Sequence, residues 1–470
     1  MDHRQLITGK TYKGICQDLA IDGSGIVRTD GKVVFVKDLL PGEEAEIKIT
    51  GEKKNIFYGE IVGLTKASPE RTVPGCPYYG ICGGCSISHA SYRMQLDFKE
   101  KHVNDCLSRI AGTDAKVQGR IFDSSRQYGY RNKISLPARM IDGATRLCMT
   151  SAGGGRPVPI KACLFVDDKM NHLISKVQEW IELEKIKGYD PLRYKGLLRR
   201  VVIRKAQGRY LINFILNSDS ITGQEFLKEL FKDTDYLSGI TWSVNRKKTD
   251  DSIVEMTYTL CGEPTLSETY NGILVDISSE SFSQVNKEIA EKMYAKAVEL
   301  ASSSDKDKVL DLYCGTGSMT LQLARHCEDV IGVEVVDSAV KDAKRNAKRN
   351  GIHNATFICS PVEKLIDDNR FSDVDVIVLD PPRKGCDAKT IDSIKAIGPD
   401  RIVYISCNPS TLARDIRTLG DSYEIREVHM CDMFSQTMHV ETVCCLYHQK
   451  KDFISAPFEP KNADYLNQGK

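Results

Sequence analysis

An apolar run that breaks on a glycine turn and resumes with helical spacing, KVLDLYCGTGSMTLQLA at residues 308–324, leaves few folds open to this chain. Gly315 and Gly317 permit a tight turn and a close backbone approach to a ligand at the N-terminus of the following helix. Two further apolar runs, VIGVEVV and VDVIVLD, carry acids at their ends, Glu334 and Asp380. Helical and strand texture alternate from about Glu288 onward, so the carboxyl half is expected to be a Rossmann-like α/β domain with a doubly wound parallel sheet. Its ligand crevice then lies where the strand order reverses, lined by these strand ends. A dinucleotide fingerprint needs glycine where Thr320 stands, and Asp311 ahead of the turn suits the cationic amino-acid end of S-adenosylmethionine better than a pyrophosphate. The crevice reads as an S-adenosylmethionine site, with Glu334 placed to accept both ribose hydroxyls.

At 470 residues the chain exceeds one ordinary core. Residues 1–66 alternate apolar and polar between DGSG, DG and PGE turns, the pattern of a small OB-like β-barrel, with Lys48, Lys53 and Lys54 near one hairpin available to RNA. Residues 67–280 read as an α+β middle domain, with a helix from about Tyr92 to Ile110 able to pack on the catalytic domain of residues 281–450. Residues 451–470 read as a loose polar tail. With 65 Lys+Arg against 64 Asp+Glu there is no overall positive field, so a nucleic acid must be held by local patches such as RRVVIRK and NRKK. Neither a signal-peptide core nor an 18-residue apolar stretch is present, and a cytoplasmic protein is expected. Sixteen cysteines in such a chain are expected to be mostly reduced thiols, with clusters among them open to metal or catalysis.

YISCNPSTLARD, residues 404–415, puts Cys407 at the end of an apolar strand and before an Asn-Pro turn, on the same edge as Glu334 and Asp380. A cysteine that only filled the core would sit mid-strand, so the position favours a nucleophile, with Cys386 in the DPPRKGC loop as its competitor. A methyl-transferring enzyme needs a thiol when its target carbon is a weak nucleophile. Uracil C5 is such a carbon: thiolate addition at C6 makes the ring an enolate, C5 then attacks an electrophilic methyl group, and a base must remove the C5 proton. Glu441, with His439 two residues before it, is the candidate base.

YRNK at 130–133, FSQVN at 282–286, DLYCGTG, DPPRKGC, SCNP and DMFSQTMHVE at 432–441 together resemble the class I RNA uracil-5-methyltransferases, and the resemblance covers nearly the whole chain, a TRAM-type barrel included. It implies Cys407 as nucleophile, Glu441 as proton acceptor, and Gln284, Tyr313, Glu334 and Asp380 as the S-adenosylmethionine shell. Ser435 stands where the family commonly has proline, which bears on the rigidity of that loop. Cys76, Cys82 and Cys85 form C-x5-C-x2-C, with Cys163 as a fourth candidate ligand. Four thiolates suit zinc or an iron-sulfur cluster. Similar family members that hold a cluster carry [4Fe-4S], which is the expectation here, with zinc second. Barrel and cysteine cluster together resemble the ribosomal branch, so a monomeric enzyme forming 5-methyluridine in 23S ribosomal RNA is expected, with transfer RNA as the alternative substrate. A reading of another class, a non-catalytic RNA-binding or ribosome assembly factor, has no use for Cys407 or Glu441.

Overall fold

The computed structural model describes residues 6–29, 31–248, 254–281, 283–302, 304–367, 371, 373–420 and 422–449. The expected tail at 451–470 and Phe282 of the FSQVN stretch lie outside the described residues.

Strands β1 (Thr11–Leu19), β2 (Gly25–Thr29), β3 (Lys32–Val36), β4 (Glu44–Lys53) and β5 (Ile56–Lys66) close into a barrel in the order β1-β2-β3-β5-β4. Alternation sends Val34, Val36, Ile47 and Ile49 inward, as the pleat requires. Lys54 and Asn55 take φ of 52° and 62°, the left-handed pair that a tight hairpin uses. Arg71 clamps the barrel to the next segment through Glu43, donating from Nε at 2.6 Å and Nη2 at 2.5 Å.

Helix α1 (Tyr92–Cys106) follows, capped by the Ser91 hydroxyl, and continues as a widened π turn over Leu107–Ala111. It packs on the carboxyl-terminal half of the chain, and so does β6 (Gly119–Ile121). The middle domain proper begins at β7 (Lys133–Ile141), β8 (Ala144–Thr150) and β9 (Pro157–Pro159). Helix α2 (Asp168–Leu183), β10 (Leu198–Ala206), β11 (Arg209–Leu216), α3 (Gln224–Asp233), β12 (Leu237–Val244) and β13 (Met256–Gly262) complete it. Its seven strands run in the order β13-β12-β11-β10-β7-β8-β9. The two helices cover one face, where Trp180 lies 4.8 Å from the Phe214 ring. The other face is polar, with Thr241 and Ser243 both donating to the Asn213 side-chain oxygen at 3.0 and 3.1 Å.

A hairpin, β14 (Thr265–Tyr270) and β15 (Ile273–Ser278), and helix α4 (Lys287–Ala301) lead into the last unit. There β16 (Lys308–Leu312), α5 (Ser318–Leu323), β17 (Asp329–Glu334), α6 (Asp337–Arg349) and β18 (Ala355–Cys359) build one wing of a sheet. The other wing holds β19 (Val376–Leu379), α7 (Ala388–Ile397), β20 (Arg401–Ser406), α8 (Pro409–Leu419), β21 (Tyr423–Cys431) and β22 (Glu441–His448). Eight strands lie in the order β18-β17-β16-β19-β20-β22-β21-β6, the first five parallel and β22 antiparallel to β20. The order reverses between β16 and β19, which places the ligand crevice of a doubly wound sheet at their carboxyl ends. Among the described residues no helix is long and apolar enough to cross a membrane.

Candidate active site

At the carboxyl end of β16 the chain turns through Tyr313, a non-glycine residue at φ 64°, and then through Gly315 and Gly317 at 54° and 83°. A Cβ on Gly317 would stand 2.9 Å from the Phe357 ring, so both its conformation and its surroundings demand glycine. Glu334, ending β17, is held in place by backbone N–H groups: Gly315 donates at 3.1 Å, Val335 at 2.8 Å and Val336 at 2.9 Å. Thr320, the residue that breaks the dinucleotide fingerprint, donates its hydroxyl to Asp311 at 2.5 Å and so fixes that carboxyl behind the turn. Burial, partly opposed by Thr320 and reinforced by Asp380, lifts the Asp311 carboxyl to about 7. Burial alone lifts Asp380, just past β19, to about 7 as well. Two such carboxyls, Asp311 buried and Asp380 half-buried, suit a ligand that brings a cation, as S-adenosylmethionine does.

Cys407 enters the same space from β20. The antiparallel ladder ends with Ser406 paired to Thr442, so Cys407, next after β20, and Glu441, the first residue of β22, lie at the same end of neighbouring strands, close enough for Glu441 to act on the thiol. Both line a cavity of about 1740 Å³ that also reaches Gln284, Tyr313, Glu334 and Asp380. Asn408 and Pro409 are the cap and first residue of α8, not a free turn: the Asn408 side chain accepts from Ser410 N at 3.2 Å. The Asn408 amide also donates to the Arg383 carbonyl at 3.2 Å, tying the proline loop to the strand end that carries the thiol. Cys386 lies under that loop, 5% exposed, with its sulfur 3.7 Å from the Tyr404 hydroxyl and outside the cavity lining.

Burial, then Glu441 and Asp380, push the Cys407 thiol up to about 11, while Arg383 pulls the other way. At neutral pH about one such thiol in ten thousand is ionised, so a nucleophilic role requires a positive charge nearby or a proton acceptor. Glu441 is 4% exposed, and burial together with Asp380 holds its carboxyl well above the ordinary range. It is therefore no surface glutamate on a terminal strand. His439 is exposed at the cavity rim, edge-on to Phe434 at 5.9 Å.

The loop 432–439 is braced on every side. Lys99 of α1, fully buried, bonds Asp432 and donates to the Phe434 carbonyl at 2.9 Å, and Tyr92 donates to Asp432 at 2.6 Å. Gln95 and Gln436 exchange hydrogen bonds at 2.9 and 3.1 Å. Ser435 donates to the Gln127 carbonyl at 2.8 Å, a bond proline could not make, so the loop is fixed by another route. The YRNK stretch clamps the cofactor side: the Asn132 amide donates to the Gln284 carbonyl at 2.8 Å and Tyr130 to the Ser435 carbonyl at 3.3 Å. Sequence reasoning missed Tyr294 and Arg383. Tyr294 belongs to the apolar stripe of α4, which hid a hydroxyl that faces Gln284, Asp380 and Glu441. Arg383 was visible only as a charge in a proline loop.

Cys76, Cys82, Cys85 and Cys163 are all half-buried free thiols that face one another. Burial pushes the Cys85 thiol up to about 12, with Cys163, Cys76 and Cys82 adding to the rise. The donor set fits a thiolate-ligated group, yet among the described residues no three such side chains stand within chelating distance of a metal ion. The same loop touches the active-site loop, since Ser86 N donates to the Gln436 carbonyl at 3.1 Å and Met438 N to the Ser86 hydroxyl at 3.0 Å.

Similarities to known proteins converge on one family. The tRNA (uracil-5-)-methyltransferase family matches residues 264–450 and the TRAM domain residues 7–62. An uncharacterized RNA methyltransferase of Halalkalibacterium halodurans is 36% identical over 92% of this chain and 95% of its own. One of Clostridium acetobutylicum is 36% identical over 92% of this chain and 96% of its own. The crystal structure of Pyrococcus abyssi tRNA (uracil-54, C5)-methyltransferase in complex with S-adenosyl-L-homocysteine superposes with a TM-score of 0.74 at 27% identity, covering 93% of this chain and all of that one.

Proposed function

The chain belongs to the S-adenosylmethionine-dependent RNA uracil-5-methyltransferase family, and from that premise we propose that it forms 5-methyluridine in RNA with Cys407 as nucleophile and Glu441 as base. The observation that carries this reading is the placement of Cys407 and Glu441 at adjoining ends of neighbouring strands, inside the cavity that holds the acid-lined crevice. Gln284, Tyr313, Glu334 and Asp380 are assigned to hold S-adenosylmethionine, which when bound supplies an electrophilic methyl group. Cys407 Sγ adds to C6 of the uracil, and the pair of electrons displaced from the C5–C6 bond makes C5 the nucleophile. Arg383, which lowers the thiol's proton affinity, favours the attacking thiolate. After methylation Glu441 takes the C5 proton, and the electrons of that C–H bond restore the double bond as the sulfur leaves.

The substrate assigned first is 23S ribosomal RNA, on the strength of the barrel joined to a four-cysteine site. Transfer RNA is the second reading, favoured by the likeness to a tRNA uracil-54 enzyme over nearly the full chain. The four cysteines are assigned to a [4Fe-4S] cluster, with zinc second, on the C-x5-C-x2-C spacing of Cys76, Cys82 and Cys85 with Cys163 as the fourth thiol. Unmodified transcripts of both RNAs, with the methylated position mapped, separate the substrates. RNA carrying 5-fluorouridine at that position should form a stable covalent complex with Cys407, because fluorine cannot leave as a proton does. A crosslink on Cys386, or none with a verified substrate, overturns the assignment.

A further inference from the structure

Strands β7 and β10 lie antiparallel, with Lys133 opposite Arg204 and Ser135 opposite Val202. Alternation sends Ile134, Leu136, Val201 and Ile203 into the core under α2 and α3. Lys133, Arg200 and Arg204 are therefore left together on the polar face of the sheet. Arg204 is 2% exposed and gives its guanidinium to the segment that borders the cavity: to the Ser279 carbonyl at 3.2 Å, the Ser283 hydroxyl at 3.2 Å and the Ser281 carbonyl. Arg200 donates to the Ser135 hydroxyl at 3.2 Å. The Lys133 ammonium has neither hydrogen bond nor ion pair among the described residues, and burial with the two guanidiniums pushes it down to about 8. Two residues earlier Arg131 lines the cavity itself, its guanidinium 4.4 Å over the Phe165 ring and its buried Nε without a hydrogen-bond partner.

A desolvated cation without an anion destabilises the fold; the Lys133 ammonium is such a cation, and Arg131, just ahead of the first residue of β7, brings a second positive charge at the cavity wall. An anion beside Lys133 would remove its penalty, and a polymer with regularly spaced anions would meet Arg131 as well. We propose that Arg131 and Lys133, backed by Arg200 and Arg204, form a track for backbone phosphates that leads a single-stranded RNA segment from the polar face of the middle sheet into the cavity. The track rests on RNA being the substrate, as read above. It also accounts for RRVVIRK: Arg200 and Arg204 are on the RNA side, and Val201 and Ile203 between them serve the core.

Equilibrium binding of a verified RNA substrate at about 50 to 200 mM salt tests the track, with Lys133→Gln, Lys133→Arg and, on the opposite side of the sheet, Lys228→Gln. Loss of one phosphate contact lowers the slope of log K against log salt by about 0.7, so a fourfold rise in salt weakens Lys133→Gln about 2.6-fold less than the unaltered protein. Lys133→Arg should keep the original slope, as should Lys228→Gln. The unfolding temperature of Lys133→Gln should be no lower than before, since the variant removes an unmatched buried cation. Lys133→Met, which keeps the apolar stem, repeats the measurement if glutamine disturbs packing. An unchanged slope in Lys133→Gln and Lys133→Met, while the unaltered protein binds and methylates that RNA, overturns the track and leaves the uracil reading intact. An unaltered protein that neither binds nor methylates RNA overturns both.

Discussion

Asp380→Asn should make the ligand-free protein more stable, and only at neutral and alkaline pH. The Asp380 carboxyl is lifted from 3.8 to about 7 by burial, a displacement that corresponds to roughly 4 kcal/mol at about 1.36 kcal/mol per tenfold. Below pH about 4 the group is protonated in both the folded and the unfolded chain, so folding bears no charge penalty. As pH rises toward 7 the unfolded chain ionises freely and the folded one does not, so the stability present at low pH is lost progressively and is gone above the folded value. Asparagine keeps the shape and does not titrate. The stability difference between variant and unaltered protein should therefore widen by up to roughly 4 kcal/mol between pH about 4 and 8, on the order of 10 °C in the transition of the catalytic domain. Thermal and denaturant unfolding at several pH values reads this directly. Added S-adenosylmethionine should raise the unaltered protein more than the variant at pH 8, because its positive charge answers the carboxylate. Unfolding curves that shift by the same amount at every pH would show that Asp380 is not the group that titrates with folding.

Glu441→Gln should leave thiol addition and methylation possible but stall release, so that a covalent protein–RNA adduct bearing the new methyl accumulates on ordinary uridine and appears as a retarded band on a denaturing gel. Undiminished turnover without adduct would remove Glu441 from the proton step. Anaerobically purified protein should contain about four irons per chain, as a four-thiolate cluster requires, and Cys82→Ser should abolish the iron. One zinc with no iron would leave the four-cysteine site standing and replace its occupant.

The crevice was legible because its constraints are local. A strand, a glycine turn and a helix fall within seventeen residues from Lys308 to Ala324, and acids at successive strand ends can only meet at one edge of a parallel sheet. The placement of Cys407 at that edge was legible for the same reason. Its nearness to Glu441 was not, because the register of β20 on β22 depends on which strand inserts between β20 and β21. Lys99 was hidden more thoroughly. On a helix of mixed polarity a lysine reads as solvent-facing, and its partner Asp432 is 333 residues away. Asn408-Pro409 was read as a turn where it starts α8, since cap and turn draw on the same residue types.

The edge strand β6 and the helix before it carry a consequence for the order in which the protein is made. Residues 92–121 leave the ribosome before the middle domain, while β21, beside which β6 lies, comes some three hundred residues later. Until then α1 presents an apolar face with a lysine in it and no carboxylate to receive that charge. Contacts of such span are slow to form and leave apolar surface exposed meanwhile. The middle domain, whose strands are contiguous in the chain, can settle first and hold the two ends of the polypeptide in reach of each other. Docking of the early helix then fixes Asp432 and Phe434, so the loop leading to Glu441 is set only when the first-made and last-made parts of the chain have met. A nascent chain interrupted before that point has its cofactor crevice but no finished catalytic edge.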